Sequence, residues 1–154
     1  MTSKDKEILF FYCGLSTVSY QGGPKAANQQ SLRERILHLK ALDTALAVAK
    51  TMDDQKGVDI QILRIEDLTI LTEYFVIASG SSTTHVRALA DEVEKALEDL
   101  GVRPHHREGF DTGGWVLLDY GSVVVHIFLP ATRDFYSLDR LWEDAEKIEL
   151  PDGE

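Results

Sequence analysis

One cysteine, Cys13, stands in the whole chain. It leaves no partner for an intramolecular disulfide and no second thiolate for a metal site, which favours a reducing compartment. Long apolar runs are missing too, since none approaches the roughly 18 residues of a membrane-spanning helix. A soluble, cytoplasmic chain without a membrane partner is therefore expected. Basic residues are scarce in the larger part of the sequence. Residues 1–40 hold six Lys/Arg and three Asp/Glu, whereas residues 41–154 hold ten against 23. Such a surface repels phosphate backbones, and the scattered Arg103, Arg107, Arg133 and Arg140 form no basic stripe. Direct nucleic-acid binding is not expected, and a basic protein suits this charge better as a partner.

A length of 154 residues fits one domain able to bury its own core. The first part is set apart by composition. The apolar run from Ile8 to Leu15 behind Lys4 and Lys6 has the outline of a signal h-region, but Asp5 and Glu7 oppose it and no A-x-A site follows. Gln21 to Pro24 and Ala26 to Ser31 read as polar linker. Residues 1–38 are thus expected to be a loosely ordered N-terminal extension and residues 39–150 the domain.

Periodicity orders that domain. Leu39, Leu42, Ala45, Leu46 and Ala49 recur at helical spacing, which predicts a helix over about 39–55 with Gly57 as its C-terminal stop. Asp59 to Ile65 alternates with a period of two, and Tyr74 to Ala78 is a buried-type strand. Val86, Leu89, Ala90, Val93, Ala96, Leu97 and Leu100 form the apolar stripe of a second helix, ended by Gly101. An irregular stretch, 102–113, has room for another short strand. Trp115 to Phe128 then reads as two strands joined at Gly121-Ser122, a Gly-X order suited to a type II′ hairpin. Pro130 to Asp134 reads as a turn, followed by a short amphipathic helix carrying Leu138, Leu141, Trp142 and Ala145. The order α-β-β-α-(β)-β-β-α predicts an α/β (α+β) fold, a mixed β-sheet with helices mainly on one face.

Few motifs carry chemistry. Gly80-Ser81-Ser82, between a strand and a helix, is the arrangement that offers backbone N–H groups to a phosphate, yet Ser82 or Thr83 serves equally as a helix N-cap. The P-loop Lys is absent, as are the third Gly of a dinucleotide fingerprint and the Asp-x-Asp pair a nucleotidyltransferase uses for Mg²⁺. His105, His106, Glu108, Asp111 and His126 match no zinc spacing. The glycine-rich lead from Glu108 to Gly114 contains carboxylates suited to acid and base roles, and a flexible connector explains it as well. No G-x-S-x-G is present. Neither an enzyme nor a metal or other cofactor is expected.

The hairpin itself is the strongest feature. Both of its faces are apolar, and the predicted helices can cover only one. The other is assigned to a partner, with Trp115, Tyr120 and Phe128 as anchors and Leu129, Pro130, Arg133, Phe135 and Tyr136 extending the surface. An intramolecular core competes with this assignment at every strand-borne position.

Residues from about 41 to 147 resemble the ribosomal silencing factor family, also called RsfS or Iojap-like. The match rests on Asp67-Leu68, Tyr74 to Ser82, His85-Val86 with Ala90-Asp91, Trp115 to Gly121, Val123 to Phe128, Arg133 to Tyr136 and Leu141 to Ala145. The resemblance implies a nucleotidyltransferase-like topology without the catalytic carboxylates, and a steric function. It implies binding to the large ribosomal subunit through ribosomal protein fourteen of the intersubunit face, blocking the small subunit, with a role in large-subunit biogenesis. Carried over by motif, the docking residues are Trp115, Tyr120, Val123 and Phe128, with Pro130, Arg133 and Tyr136 at the rim. Ser122 departs from the acidic residue common in the family's Asp-Tyr-Gly-Asp turn. The rival reading is a nucleotide-binding or nucleotidyltransferase-like enzyme using Gly80 to Thr84. A third is a homodimer in which the apolar sheet face pairs with its own copy.

Overall fold

The computed structural model describes residues 29–151. Cys13, the apolar run 8–15 and the first 28 residues of the predicted extension lie outside the described residues. Helix α1 (Gln29–Asp54) starts ten residues before the predicted start at 39, and so crosses the boundary drawn there. Propensity explains the difference: Gln, Leu, Arg and Glu dominate 29–38, all good helix formers, with no Gly or Pro among them.

The sheet follows as β1 (Val58–Arg64) and β2 (Tyr74–Ser79), helix α2 (Thr83–Asp99), then β3 (His106–Glu108), β4 (Trp115–Asp119) and β5 (Val123–Phe128). Two short helices, α3 (Pro130–Tyr136) and α4 (Leu138–Leu141), lead to β6 (Glu146–Ile148). Strand order is β3-β4-β5-β2-β1-β6. Only β2 and β5 run parallel, so the sheet is mixed, and the short strand allowed between 102 and 113 is β3. The segment read as a turn at 130–134 is instead helical, because Pro130 sits at its first position, where the missing N–H has no intrahelical partner to lose. β6 escaped the sequence reading because three residues are too few to show a period.

One face of the sheet packs under α1 and α2. Ala41, Ala45, Val48, Ala49 and Met52 recur along one stripe of α1, and Val86, Leu89, Ala90, Val93 and Leu97 along α2. They meet Val76, Ala78, Val116, Leu118, Val125 and Ile127 from the strands. The opposite face is closed as well. Leu63, Ile65, Phe75, Ile77, Trp115, Leu117, Val124 and Phe128 form a second cluster, covered by Leu138 and Ala145 with Tyr136 and Trp142 packed against it. The expectation that this face stands open for a partner is therefore corrected: the α3–α4 segment folds back over it. Among the described residues no helix is long and apolar enough to cross a membrane.

Candidate docking surface

The hairpin forms as its turn chemistry dictates. Gly121 takes φ +83°, Asp119 Oδ1 accepts from its N–H at 2.8 Å, and the Tyr120 N–H donates to the Val123 carbonyl at 2.9 Å. That turn sets Trp115 opposite Phe128. Their rings stack with centroids 4.9 Å apart, and Tyr136 from α3 lies 4.8 Å from the indole on another side.

These contacts revise the predicted anchors. Trp115 and Phe128 are 1% and 0% exposed, so they are interior residues of the second cluster. Tyr120 and Val123 are buried too, but on the other face, beneath the long helices. Strand alternation divides the four between two faces, and neither pair reaches the surface. The Tyr120 hydroxyl is buried with no hydrogen-bond partner among the described residues, and burial, reinforced by the Glu94 carboxylate, raises its pKa well above the ordinary phenol value. Arg133, expected at the rim, is 6% exposed and engaged inside the protein. Its Nε and Nη2 fork onto the two Asp139 oxygens at 3.0 and 3.2 Å, and Nη1 donates to the Asp59 carbonyl at 2.7 Å and to Ser79 Oγ at 3.0 Å.

Pro130 is exposed and Tyr136 half-buried, so these two remain at the surface. Beside them the structure adds Phe135, 68% exposed, and Leu141, 55% exposed, with Trp142 half-buried between solvent and Phe75. Helical spacing places Leu141 on the same stripe as Leu138. The helix stops at Leu141, however, so only Leu138 and Ala145 reach the core. The exposed ledge of α3–α4 rests on the buried one: Phe135 touches Tyr136 edge-on at 5.1 Å, and Tyr136 lies on Trp115.

The other candidate chemistry is occupied by local structure. Ser82 caps α2, its Oγ accepting from the His85 N–H at 3.1 Å. The Ser81 N–H donates to His85 Nδ1 at 3.0 Å, and the Gly80 N–H to the Phe128 carbonyl at 2.8 Å. His126 is buried beside Trp115, whereas His105 and His106 lie exposed near the sheet edge, where His106 Nε2 is 2.8 Å from Glu108. The three histidines do not converge. The Glu108 to Gly114 lead is strapped to α2 by Arg87, which donates to the carbonyls of Phe110 and Asp111 at 2.7 and 2.8 Å. Gly109, at φ +84°, lets the loop pass directly against the Trp115 carbonyl, where a Cβ has no room.

Residues 38–154 match a family model described as ribosomal silencing factor during starvation. The ribosomal silencing factor RsfS of Bacillus subtilis is 38% identical over 105 residues, covering 68% of this chain and 89% of its own. Mouse mitochondrial assembly of ribosomal large subunit protein 1 is 39% identical over 87 residues, 54% of this chain and 38% of that one. A crystal structure of a Chromobacterium violaceum protein superposes with a TM-score of 0.66 at 37% identity, covering 73% of this chain and 93% of that one. On the strength of a family match running from the middle of α1 to the end of the sequence, this chain belongs to the ribosomal silencing factor family.

Proposed function

We propose that this protein represses translation by occlusion: it docks on the large ribosomal subunit, through the basic ribosomal protein fourteen of the intersubunit face, and its bulk keeps the small subunit from joining. A part in large-subunit biogenesis accompanies this, in keeping with the assembly role in the mouse relative's name. No catalytic step is assigned, in a family not known for enzymes. The observation that carries the reading is the α3–α4 ledge, where Phe135 and Leu141 stand exposed next to half-buried Tyr136 and Trp142. Aromatic and aliphatic side chains held out on a rigid base are what a protein interface uses as anchors. Asp134, Glu143 and Asp144 are exposed on the same segment against one exposed cation, Arg140, so the apolar contacts come with a net negative charge around them. That combination favours a basic protein surface and disfavours rRNA phosphates. Within it, Trp115 and Phe128 act as the floor that holds Tyr136 in place, and Pro130 and Tyr136 as contacts.

The test is cosedimentation of the purified protein with isolated large subunits, followed by addition of small subunits and measurement of joined ribosomes on a gradient. Saturable binding with loss of joined ribosomes, both abolished by Phe135→Asp with Leu141→Asp, is expected. A protein that stays at the top of the gradient, or a doubly substituted one that binds as well as the original, overturns the reading.

A further inference from the structure

We propose that Arg133 is a positioning residue whose fork to Asp139 fixes the angle of the α3–α4 elbow, and thereby the presentation of Phe135 and Leu141 to a basic protein surface. The inference rests on the docking reading above and adds the device that sets the docking geometry. Between the two helices stands a single residue, Ser137, in the left-handed conformation at φ 49° and ψ 46°. Its bonds are all local: its N–H donates to the Arg133 carbonyl and its Oγ to the Asp134 carbonyl, at 2.8 and 2.6 Å. Such an elbow is sharp, and the residues flanking it, Tyr136 and Leu138, rest on the sheet through apolar contacts that set no direction. Arg133 adds the directional ties. Across the elbow it grips both oxygens of Asp139 on α4, and toward the sheet it reaches the start of β1 and the end of β2 through Asp59 and Ser79.

Two features mark this as more than space filling. Four hydrogen bonds leave the guanidinium from all three of its nitrogens, and Asp59 Oδ2 stands 3.2 Å from Nη2 as an ion-pair partner. A planar fork held in this way defines direction, which an apolar side chain of similar volume does not. An apolar side chain there would avoid the desolvation cost of a buried cation, so stability alone gives no reason for Arg. Moreover, Asp59 is itself held at φ +49°, in the irregular register between Val58 and Gln61, and this turns both its carbonyl and its carboxylate onto Arg133. Asp enters the left-handed region more readily than most non-glycine residues, and here that conformation presents two oxygens of one residue to a single guanidinium.

A double-substitution cycle on the full chain tests this, with large-subunit affinity and thermal melting as readouts. Asp139→Asn keeps the side-chain shape but removes the charge that holds the fork. It is expected to weaken binding about tenfold while the melt stays cooperative. In a Phe135→Ala background, already weaker than the original, the same change is expected to cost less than about twofold, because the group it orients is gone. Equal losses in the two backgrounds, or no loss in the first, overturn the positioning role. Should Asp139→Asn fail to fold, Asp59→Gly, which keeps the left-handed backbone and the carbonyl but deletes the carboxylate, is read by the same criterion. If the unsubstituted protein does not bind large subunits, the docking reading itself falls. If it binds, and Phe135→Ala weakens it while the cycle is additive, only the positioning inference falls.

Discussion

Trp115 and His126 are joined inside the hairpin: the indole Nε1–H donates to His126 Nδ1 at 3.1 Å, and the imidazole also meets Phe75 edge-on at 4.7 Å. Nδ1 must be unprotonated to accept, so the ring is neutral. Burial keeps it so and lowers the His126 pKa to about 3. The unfolded chain takes up this proton near pH 6.5 while the folded one does not, so the folded state loses stability as pH falls from about 6.5 toward 3. The His126 contribution to that loss is about 2 kcal/mol at pH 5 relative to neutral pH. His126→Asn, which keeps an acceptor near the Nδ1 position but cannot be protonated in this range, is expected to flatten that part of the curve. Urea unfolding at pH 7 and pH 5 checks it, and an unchanged slope would assign the acid sensitivity elsewhere.

Burial of Trp115 and Phe128 turns a docking question into a folding one. Trp115→Glu or Phe128→Glu places a carboxylate among Phe75, Leu117 and Leu138 with no cationic partner in the cluster. The expected result is loss of the cooperative melt, at a cost of more than about 4 kcal/mol. Phe135→Glu, at an exposed position, is expected to shift stability by less than about 0.5 kcal/mol. Circular-dichroism melts of the three proteins decide it, and a well-folded Trp115→Glu would restore the indole to the surface.

How far the sequence carried follows from the length of each signal. The 17 residues of α2, its Ser82 cap and its Gly101 stop are legible because stripe, cap and glycine all agree. The hairpin is equally plain from Gly121-Ser122. What covers its second face is not, because α3 and α4 are seven and four residues long, too short for a helical period to declare a buried side. Strand alternation does separate Trp115 from Tyr120, so their assignment to one surface conflicts with a rule readable from the sequence. The Arg133 network joins residues 59, 79, 133 and 139, and no local pattern announces a contact of that sequence separation.

Tyr120 offers a substitution with an unusual sign. Its hydroxyl is buried without a hydrogen-bond partner among the described residues, a situation that costs a protein about 1–3 kcal/mol relative to a satisfied or absent polar group. Tyr120→Phe removes the oxygen and keeps the ring among Val123, Leu118 and the long helices. An unchanged or higher melting temperature is expected, at about 3 °C for each kcal/mol recovered. Scanning calorimetry would show it, and a clear fall would reveal a hydrogen bond to that oxygen in solution.

The two long helices end in the same way with different residues, and the difference can be exploited. After α2 the Gly101 and Val102 N–H groups return to the carbonyls of Glu98 and Leu97, at 2.9 and 2.8 Å, with Gly101 at φ +79°. After α1 the Lys56 and Gly57 N–H groups return to Asp53 and Met52, at 3.0 and 2.7 Å, with Lys56 at φ +65°. The glycine that the sequence marks as the stop is therefore one residue past the left-handed position, and Lys56 bears the strain of a Cβ there. Gly57 is still required, because a Cβ on it would stand 2.8 Å from the Met52 carbonyl oxygen. Lys56→Gly should then stabilise the protein by about 0.5–1 kcal/mol, the left-handed penalty less the extra entropy of an unfolded glycine. Gly101→Ala, where an added Cβ meets nothing within 4 Å, should destabilise it by about 1 kcal/mol through backbone strain alone. Denaturant titrations of both, run together, test one motif from two sides. If Lys56→Gly is neutral while Gly101→Ala is costly, the lysine's strain is offset by contacts of its own side chain.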